Sequence, residues 1–252
     1  MESRGNALSR RQFAGMMAAG ALAAMVGLPS CSPKDASEAK VEKTYDYDVV
    51  VLGGGGAGTS AAGKAAEAGA KTVLLEKMGW LAGSSSICLG GFYGAGNAVQ
   101  KRAGIEDDTP EALLEYFLAS NGDKLDYDVQ EFCAYHFGET IDWLSEELGV
   151  PFQDEVLLKG KDTVKRQSRC KNSGMDALSA VYQFAQDQGA EFMFNMAAEK
   201  LIVDDSGAVC GVLARESNGR LSQFNATSVV VATGGLCRNA EMIAEYMPDF
   251  KQ

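Results

Sequence analysis

The chain has 252 residues, 46% of them hydrophobic and 23% charged, which suits one large or two small folded domains and excludes a disordered polymer. A formal net charge of -11 favours solubility and argues against a nucleic-acid partner. The six cysteines (Cys31, Cys88, Cys133, Cys170, Cys210, Cys237) show no CxxC pair, zinc spacing or haem attachment site, so no metal or haem is expected, and one histidine, His136, leaves little for a histidine-centred nucleophile.

The first element is an address rather than a domain. Arg4, Arg10 and Arg11 precede Phe13–Leu28, an Ala/Gly/Met run shorter than the roughly 18 to 20 apolar residues that span a bilayer. That is the layout of a signal peptide over residues 1–30. Ser9-Arg10-Arg11-Gln12-Phe13 resembles the bacterial twin-arginine signal, whose route carries folded proteins with their cofactor. Leu28-Pro29-Ser30-Cys31 resembles a lipobox, in which Cys31 would be lipidated, and ordinary cleavage near Ser30 or Ser32 stands beside it. Either way the resemblance implies export to the periplasm or cell surface, with membrane contact only through the signal peptide or a lipid anchor. Residues 31–44 read as a polar tether, and folding is expected over 45–252.

Asp46–Leu52 ends in an apolar β-branched run, the pattern of a strand buried on both faces of a parallel sheet. Gly53-x-Gly55-x-x-Gly58 follows, then a small-residue helix over Ser60–Ala68 closed by Gly69. In this order Gly53 permits the tight turn, Gly55 the approach of a pyrophosphate, and Gly58 the close packing of helix on strand. Free N–H groups at the helix start then meet the phosphates. A second strand, Lys71–Leu75, ends at Glu76, placed to accept hydrogen bonds from a ribose hydroxyl. The loop alone does not separate FAD from NAD. Downstream, Met78 to Gly96 is rich in Gly and Ser, which suits backbone laid against a ligand.

The middle of the chain reads as helical. Thr109-Pro110-Glu111 opens a helix through Ser120, and Asp128 to Glu131 has capping-box spacing before a helix ended by Gly149. Val129, Cys133, Phe137, Ile141, Leu144 and Leu148 mark the expected inward face. His136 lies beside that face and reads as a structural residue rather than a proton donor. Lys159–Lys171, with Lys161, Lys165, Arg166 and Arg169, reads as a solvated basic loop, the alternative being contact with an anionic substrate or phosphate. A helix begins at Gly174. Glu199–Val203, Ala208–Arg215 and Arg220–Ala226 form an expected three-stranded meander with turns at Asp204–Gly207 and Ser217–Gly219. Ser228–Ala232 repeats the buried-strand pattern, Thr233-Gly234-Gly235 turns sharply, and Asn239–Tyr246 reads as a final helix.

From about Tyr47 to Met247 the chain resembles the fumarate reductase and 3-ketosteroid dehydrogenase family of FAD-dependent oxidoreductases. The carriers are VVVLGGGGAGTSAAGKAAEAGAKTVLLEK, GSSSICLGG and VVVATGGLCRN. The resemblance implies an α/β, Rossmann-like FAD-binding fold with a central parallel sheet, an antiparallel meander and a helical insert, incomplete at the C-terminus. It implies FAD contacts from Gly53, Gly55, Ala57, Gly58, Glu76, Lys77, Gly83, Ser84, Ser85, Gly90, Gly91, Ala232, Thr233, Gly234 and Gly235. Ala82 and Ser84 depart from the family's usual glycine and asparagine. It also implies hydride transfer between flavin N5 and a C=C or C–C unit of a small organic substrate such as an enoate, with electrons from a separate donor protein. The proton-transfer group and substrate clamp are expected beyond the Ala-Thr-Gly-Gly turn, so no catalytic residue is assigned. A truncated frame, half of a split enzyme, a non-catalytic dinucleotide-binding fragment and an NAD-dependent dehydrogenase are the alternatives.

Overall fold

The first strand carries the molecule's centre. In the computed structural model, which describes residues 40–249 except 82 and 238, β1 spans Val41–Leu52. The expected signal peptide and Cys31 lie outside the described residues. Residues 41–44, expected as tether, are strand because Val41, Lys43 and Thr44 pair with Leu221, Ser222 and Gln223. Helix α1, Gly56–Glu67, starts before Ser60, since the glycine loop itself forms the first turn. Strand β2, Thr72–Leu75, is buried throughout and pairs in parallel with β1.

The Gly/Ser run folds into a short helix α2, Ser84–Ile87, and a strand β3, Gly91–Tyr93. Helix α3, Ala98–Arg102, is unforeseen from the sequence and opens on a capping box between Asn97 and Gln100. Helix α4, Pro110–Asn121, starts as expected, with the Thr109 hydroxyl accepting from the Ala112 N–H. Helix α5, Tyr127–Asp142, is capped by Asp126 rather than by Asp128, and it runs into a π-helical turn at Trp143–Glu147.

The inward face of α5 differs from expectation. Gln130, Ala134, Gly138 and Ile141 are buried, whereas Val129 and Phe137 are exposed. Close approach is the reason at its centre: a Cβ on Gly138 would lie 2.2 Å from the Ala95 carbonyl oxygen, so no side chain fits at that position. Ile141 and Leu144 do enter the core with Val99, Phe152 and Val181.

The basic loop is also corrected at one position. Arg166 is buried, and its guanidinium donates to Asp108 at 2.6 Å and to Asp162 at 2.9 Å, while Gln100 donates to Asp108 and the Tyr93 hydroxyl to Asp162. Burial opposes its charge, yet the two carboxylates raise its pKa further. Arg166 is therefore a structural anchor that ties β3 to two loops, and neither a solvated side chain nor a free anion site.

Strand β4, Gln167–Arg169, pairs antiparallel with β3. Helix α6, Gly174–Asp187, crosses α1 so closely that a Cβ on Gly63 would lie 2.8 Å from the Phe184 ring. Strands β5, Glu191–Met193, β6, Met196–Val203, β7, Val209–Glu216, and β8, Leu221–Val231, complete a sheet of order β5-β2-β1-β8-β7-β6. The first four are mutually parallel, and β6 to β8 form the antiparallel meander. The last meander strand and the buried parallel strand, separate in the sequence reading, are one strand, β8, which leaves β7 after Asn225 and continues beside β1.

Alternation along β1 sorts the two cores. Val49 and Val51 face α1 and α6 with Ala62, Leu74 and Ala185. Val50 and Leu52 face the other way with Val73, Val212 and Phe224. Helix α7, Ala240–Tyr246, closes the described chain, capped by the Asn239 side chain. Among the described residues no helix is long and apolar enough to cross a membrane.

Candidate cofactor site

The carboxyl ends of β1, β2 and β8 meet at one edge of the sheet, where ligands bind in open α/β folds. Gly53 turns the chain there with φ of +107°, a value that side chains resist. A Cβ on Gly53 would lie 2.6 Å from the Ala232 carbonyl oxygen, and one on Gly58 would lie 1.9 Å from the Gly53 carbonyl oxygen. These are the tight turn and the close helix approach that the glycine spacing predicts. Gly55 caps α1 in an extended conformation. Ala57 and Gly58 follow in the first turn, where N–H groups have no carbonyl one turn earlier to bond.

Glu76 closes this loop from the β2 side. The Gly54 N–H donates to its Oε2 at 2.6 Å and the Met78 N–H to its Oε1 at 2.8 Å. Each carboxylate oxygen keeps a second lone pair, so a ribose hydroxyl can still be met. Ser85 approaches from α2, its Oγ accepting from the Gly56 N–H at 3.1 Å. That N–H belongs to the helix start where an anion binds. Thr59, missed in the sequence reading, is buried and donates its hydroxyl to the Gly55 carbonyl at 2.9 Å. Nothing in the glycine motif signals it, although a hydroxyl one turn after the cap is the available clue.

The Gly-Gly pair at the start of β3 also packs closely against neighbouring protein. A Cβ on Gly90 would lie 2.8 Å from Cys170 Cβ, and one on Gly91 would lie 2.5 Å from Gln167 Nε2. Neighbouring backbone crowds Gly90, and both glycines also line the cavity described next. Gly174 clamps the same segment from α6, with its Cβ position 2.3 Å from the Ser85 carbonyl oxygen. Cys170, behind Gly90, has its thiol pushed up to about 11 by burial and acts as neutral filling.

Between these parts lies a cavity of about 260 Å³, lined mostly by apolar atoms, among them Gly56, Ser85, Phe92, Trp143 and Val181. The π turn supplies Trp143, whose ring also receives the Lys64 ammonium at 5.1 Å. No sequence pattern flags that turn.

The structure therefore brings together Gly53, Gly55, Ala57, Gly58, Glu76, Ser85 and Ala232, whose N–H donates to the Leu52 carbonyl at 2.9 Å. Gly83 and Ser84 lie exposed on the approach to α2, and Lys77 is exposed beyond Glu76. Thr233, Gly234 and Gly235 extend past Ala232 into exposed positions, Gly234 with φ of +85°. His136 stands apart from the loop on α5, half-exposed and paired with Glu139 at 2.8 Å. Among the described residues no cluster of His, Cys, Asp and Glu could hold a metal ion.

A phosphate-bearing dinucleotide fits this cradle: first-turn N–H donors, glycines whose side chains would strike backbone, and an acceptor carboxylate at the end of β2. Comparison with known proteins agrees. Residues 48–252 match the FAD binding domain family. The chain is 34% identical over 213 residues to urocanate reductase of Eggerthella lenta, covering 83% of this chain and 35% of that protein. It is 32% identical over 205 residues to probable fumarate reductase Ifc3 of Shewanella frigidimarina, covering 81% and 34%. Among solved structures it is similar to a flavocytochrome c3 fumarate reductase in its open conformation, with TM-score 0.74, 28% identity and coverage of 99% of this chain and 40% of that one. A 3-ketosteroid-Δ4-(5α)-dehydrogenase of Rhodococcus jostii RHA1 gives TM-score 0.72 at 25% identity, with coverage of 86% and 52%. The chain thus spans about a third of the length of the two curated relatives. The glycine cradle at the carboxyl edge of a mixed α/β sheet, matched over most of the chain, makes this protein a member of the FAD-binding domain family, with FAD as its cofactor.

Proposed function

We propose that this chain is the FAD-holding part of an exported flavoprotein oxidoreductase that reduces or desaturates a small organic substrate, with an enoate as the expected class. The observation that carries the reading is the convergence of Gly53–Gly58, Glu76, Ser85 and Ala232 on one sheet edge. The names of the relatives, urocanate reductase and fumarate reductase among them, support the chemistry. Bound FAD supplies hydride exchange at N5 with a C=C or C–C unit.

The chain's own residues hold and orient. First-turn N–H groups of α1 bind the pyrophosphate, and Thr59 fixes the carbonyl beside them. Glu76 receives the ribose hydroxyl, with Lys77 next to it. Gly83, Ser84 and Ser85 would lie along the pyrophosphate and flavin, and Ala232, Thr233, Gly234 and Gly235 would complete the contact from the turn after β8. Gly90 and Gly91 keep the flavin segment tight against β4. Residues 1–30 serve as the export signal, with Cys31 a lipidation site if the lipobox is used. Electrons come from a separate donor protein.

A second reading, a dinucleotide-binding fragment that works with a partner chain, is favoured by the polar side chains around the cavity. Those described there include Ser60, Ser85, Cys88 and Thr140, none of which is the arginine or tyrosine that the family resemblance implies for proton transfer. One experiment separates the readings. The purified chain is reconstituted with FAD, its flavin absorbance recorded, and dye-coupled reduction of fumarate and other enoates measured. Bound flavin with turnover supports the enzyme; bound flavin at background turnover supports the fragment; no retained flavin refutes autonomous binding.

A further inference from the structure

Helix α5 buries Gln130, Ala134, Gly138 and Ile141, and its opposite side is exposed among the described residues. Tyr127, Phe132 and Tyr135 are exposed, Phe132 at 63%. Between them stand the carboxylates of Asp128, Glu131 and Glu139, and the six-residue face of Asp128, Glu131, Phe132, Tyr135, His136 and Glu139 borders an open groove of about 530 Å³. The side chains on it are already organised: the Tyr127 hydroxyl donates to Glu131 at 3.1 Å, His136 meets Glu139 at 2.8 Å, and the Phe132 and His136 rings lie 4.4 Å apart. An aromatic patch rimmed by charge marks an interaction surface. Its rim is acidic.

That rim chooses the occupant. A second copy would set carboxylates against carboxylates, which penalises the pairing. A guanidinium beside an apolar side chain suits the face instead, since arginine both pairs with carboxylates and stacks on aromatic rings. This chain carries such a segment outside the described residues: Arg4, Arg10 and Arg11, followed after Gln12 by Phe13 and the apolar run to Leu28. Residues 29–40 join that segment to the start of β1 and can extend roughly 40 Å.

We propose that residues 1–28 dock on the exposed face of α5, with Arg10 and Arg11 against Asp128, Glu131 and Glu139 and Phe13 over Phe132 and Tyr135. While docked, the arginine pair is withheld from any export receptor, so release of this face governs when the signal is presented. The docking rests on the charge and apolar pattern of the two segments and not on flavin binding, and its effect on export rests on the export signal proposed above.

The test uses the full 252-residue chain with a benzoylphenylalanine photo-crosslinker in place of Phe132, and mass spectrometry to map the products. The expected result is a cross-link within one monomer to a peptide inside residues 4–28. Its yield should fall roughly five- to tenfold in Arg10→Gln/Arg11→Gln, and also at about 0.5 M salt, where exposed ion pairs are screened. Cross-links only between copies, or none to residues 1–28, overturn the proposal. A second measurement needs no probe at Phe132: amide hydrogen exchange over 127–139 should be several-fold faster in Arg10→Gln/Arg11→Gln than in the unaltered chain. Equal rates overturn it as well.

Discussion

The Gly54 N–H and the Glu76 carboxylate are joined at 2.6 Å, so the first glycine turn and the end of the neighbouring strand hold each other before any ligand arrives. Glu76 thereby has two tasks, shaping the loop and offering lone pairs outward. Replacing it with glutamine places an NH₂ group opposite either the Gly54 or the Met78 N–H. Hydrogen bonds to a charged partner contribute about 1.5 to 3 kcal/mol, so Glu76→Gln should weaken FAD binding by roughly one to two orders of magnitude. Flavin fluorescence titration measures it, and unchanged affinity would show that Glu76 does not shape the loop.

Gly58 and Gly235 make opposite predictions, although both are glycines of the turns proposed to hold FAD. A Cβ on Gly58 strikes the Gly53 carbonyl, whereas one on Gly235 meets nothing within 4 Å and its backbone is not in the left-handed region. Gly58→Ala should lose about 1 to 3 kcal/mol of stability through overpacking and should release FAD. Gly235→Ala should fold as before. Thermal melts with and without FAD distinguish the two, and equal melting for both variants would sink the steric account.

Arg166 is the largest fully buried side chain among the described residues, and it lies between two carboxylates. Removing one partner of a buried ion pair costs about 3 to 5 kcal/mol. Arg166→Met should fall in this range by urea unfolding, because Asp108 and Asp162 are then left facing each other. Arg166→Lys should recover only part of the loss, since an ammonium lacks the planar fork that meets both carboxylates. Full recovery by lysine would mean that charge alone matters there.

Asp162 gives the pH dependence. Burial works against its charge, but the Tyr93 hydroxyl, the Val164 N–H and Arg166 outweigh it and hold the carboxyl below the ordinary carboxylate range. The folded pKa is lower than the unfolded one, so this stabilisation is complete above about pH 4 and is lost as pH falls through the folded value. Asp162→Asn should be less stable at neutral pH and should lose less stability on acidification. Urea unfolding at neutral and acid pH reads both, and an equal acid loss in variant and parent would contradict the assignment.

Much of this architecture is legible in local sequence. The run Val49–Leu52, the glycine spacing, Glu76 and the paired turns before and after β7 each obey a short-range rule, and the structure places them accordingly. What escapes is set by neighbours distant in the chain. The inward face of α5 is chosen by the Ala95 backbone, which admits Gly138 and Ala134 and turns Val129 and Phe137 outward. Arg166 looks like one more basic residue until Asp108, 58 positions away, closes on it. Likewise nothing local in Gly90 and Gly91 signals that Cys170, Ser173 and Gln167, far along the chain, pack against them. The sites at Lys77, Ser84 and Thr233–Gly235 rest on the family resemblance, and their exposed positions leave that assignment to FAD-binding measurements.

The insertion of β8 beside β1 sets a timetable for the molecule. Asp46 and Asn225 pair across the sheet although 179 positions separate them, and the same register carries on to Leu52 and Val231 at the cofactor edge. Closing so long a loop carries an entropic cost before the contacts repay it, and chains with such distant pairings fold slowly. During synthesis β1, α1 and β2 emerge early, but the wall formed by Ala232 arrives only after nearly all of the described chain. The nucleotide cradle thus closes only once β8 has joined β1, and FAD capture becomes a report that this distant pairing has been made.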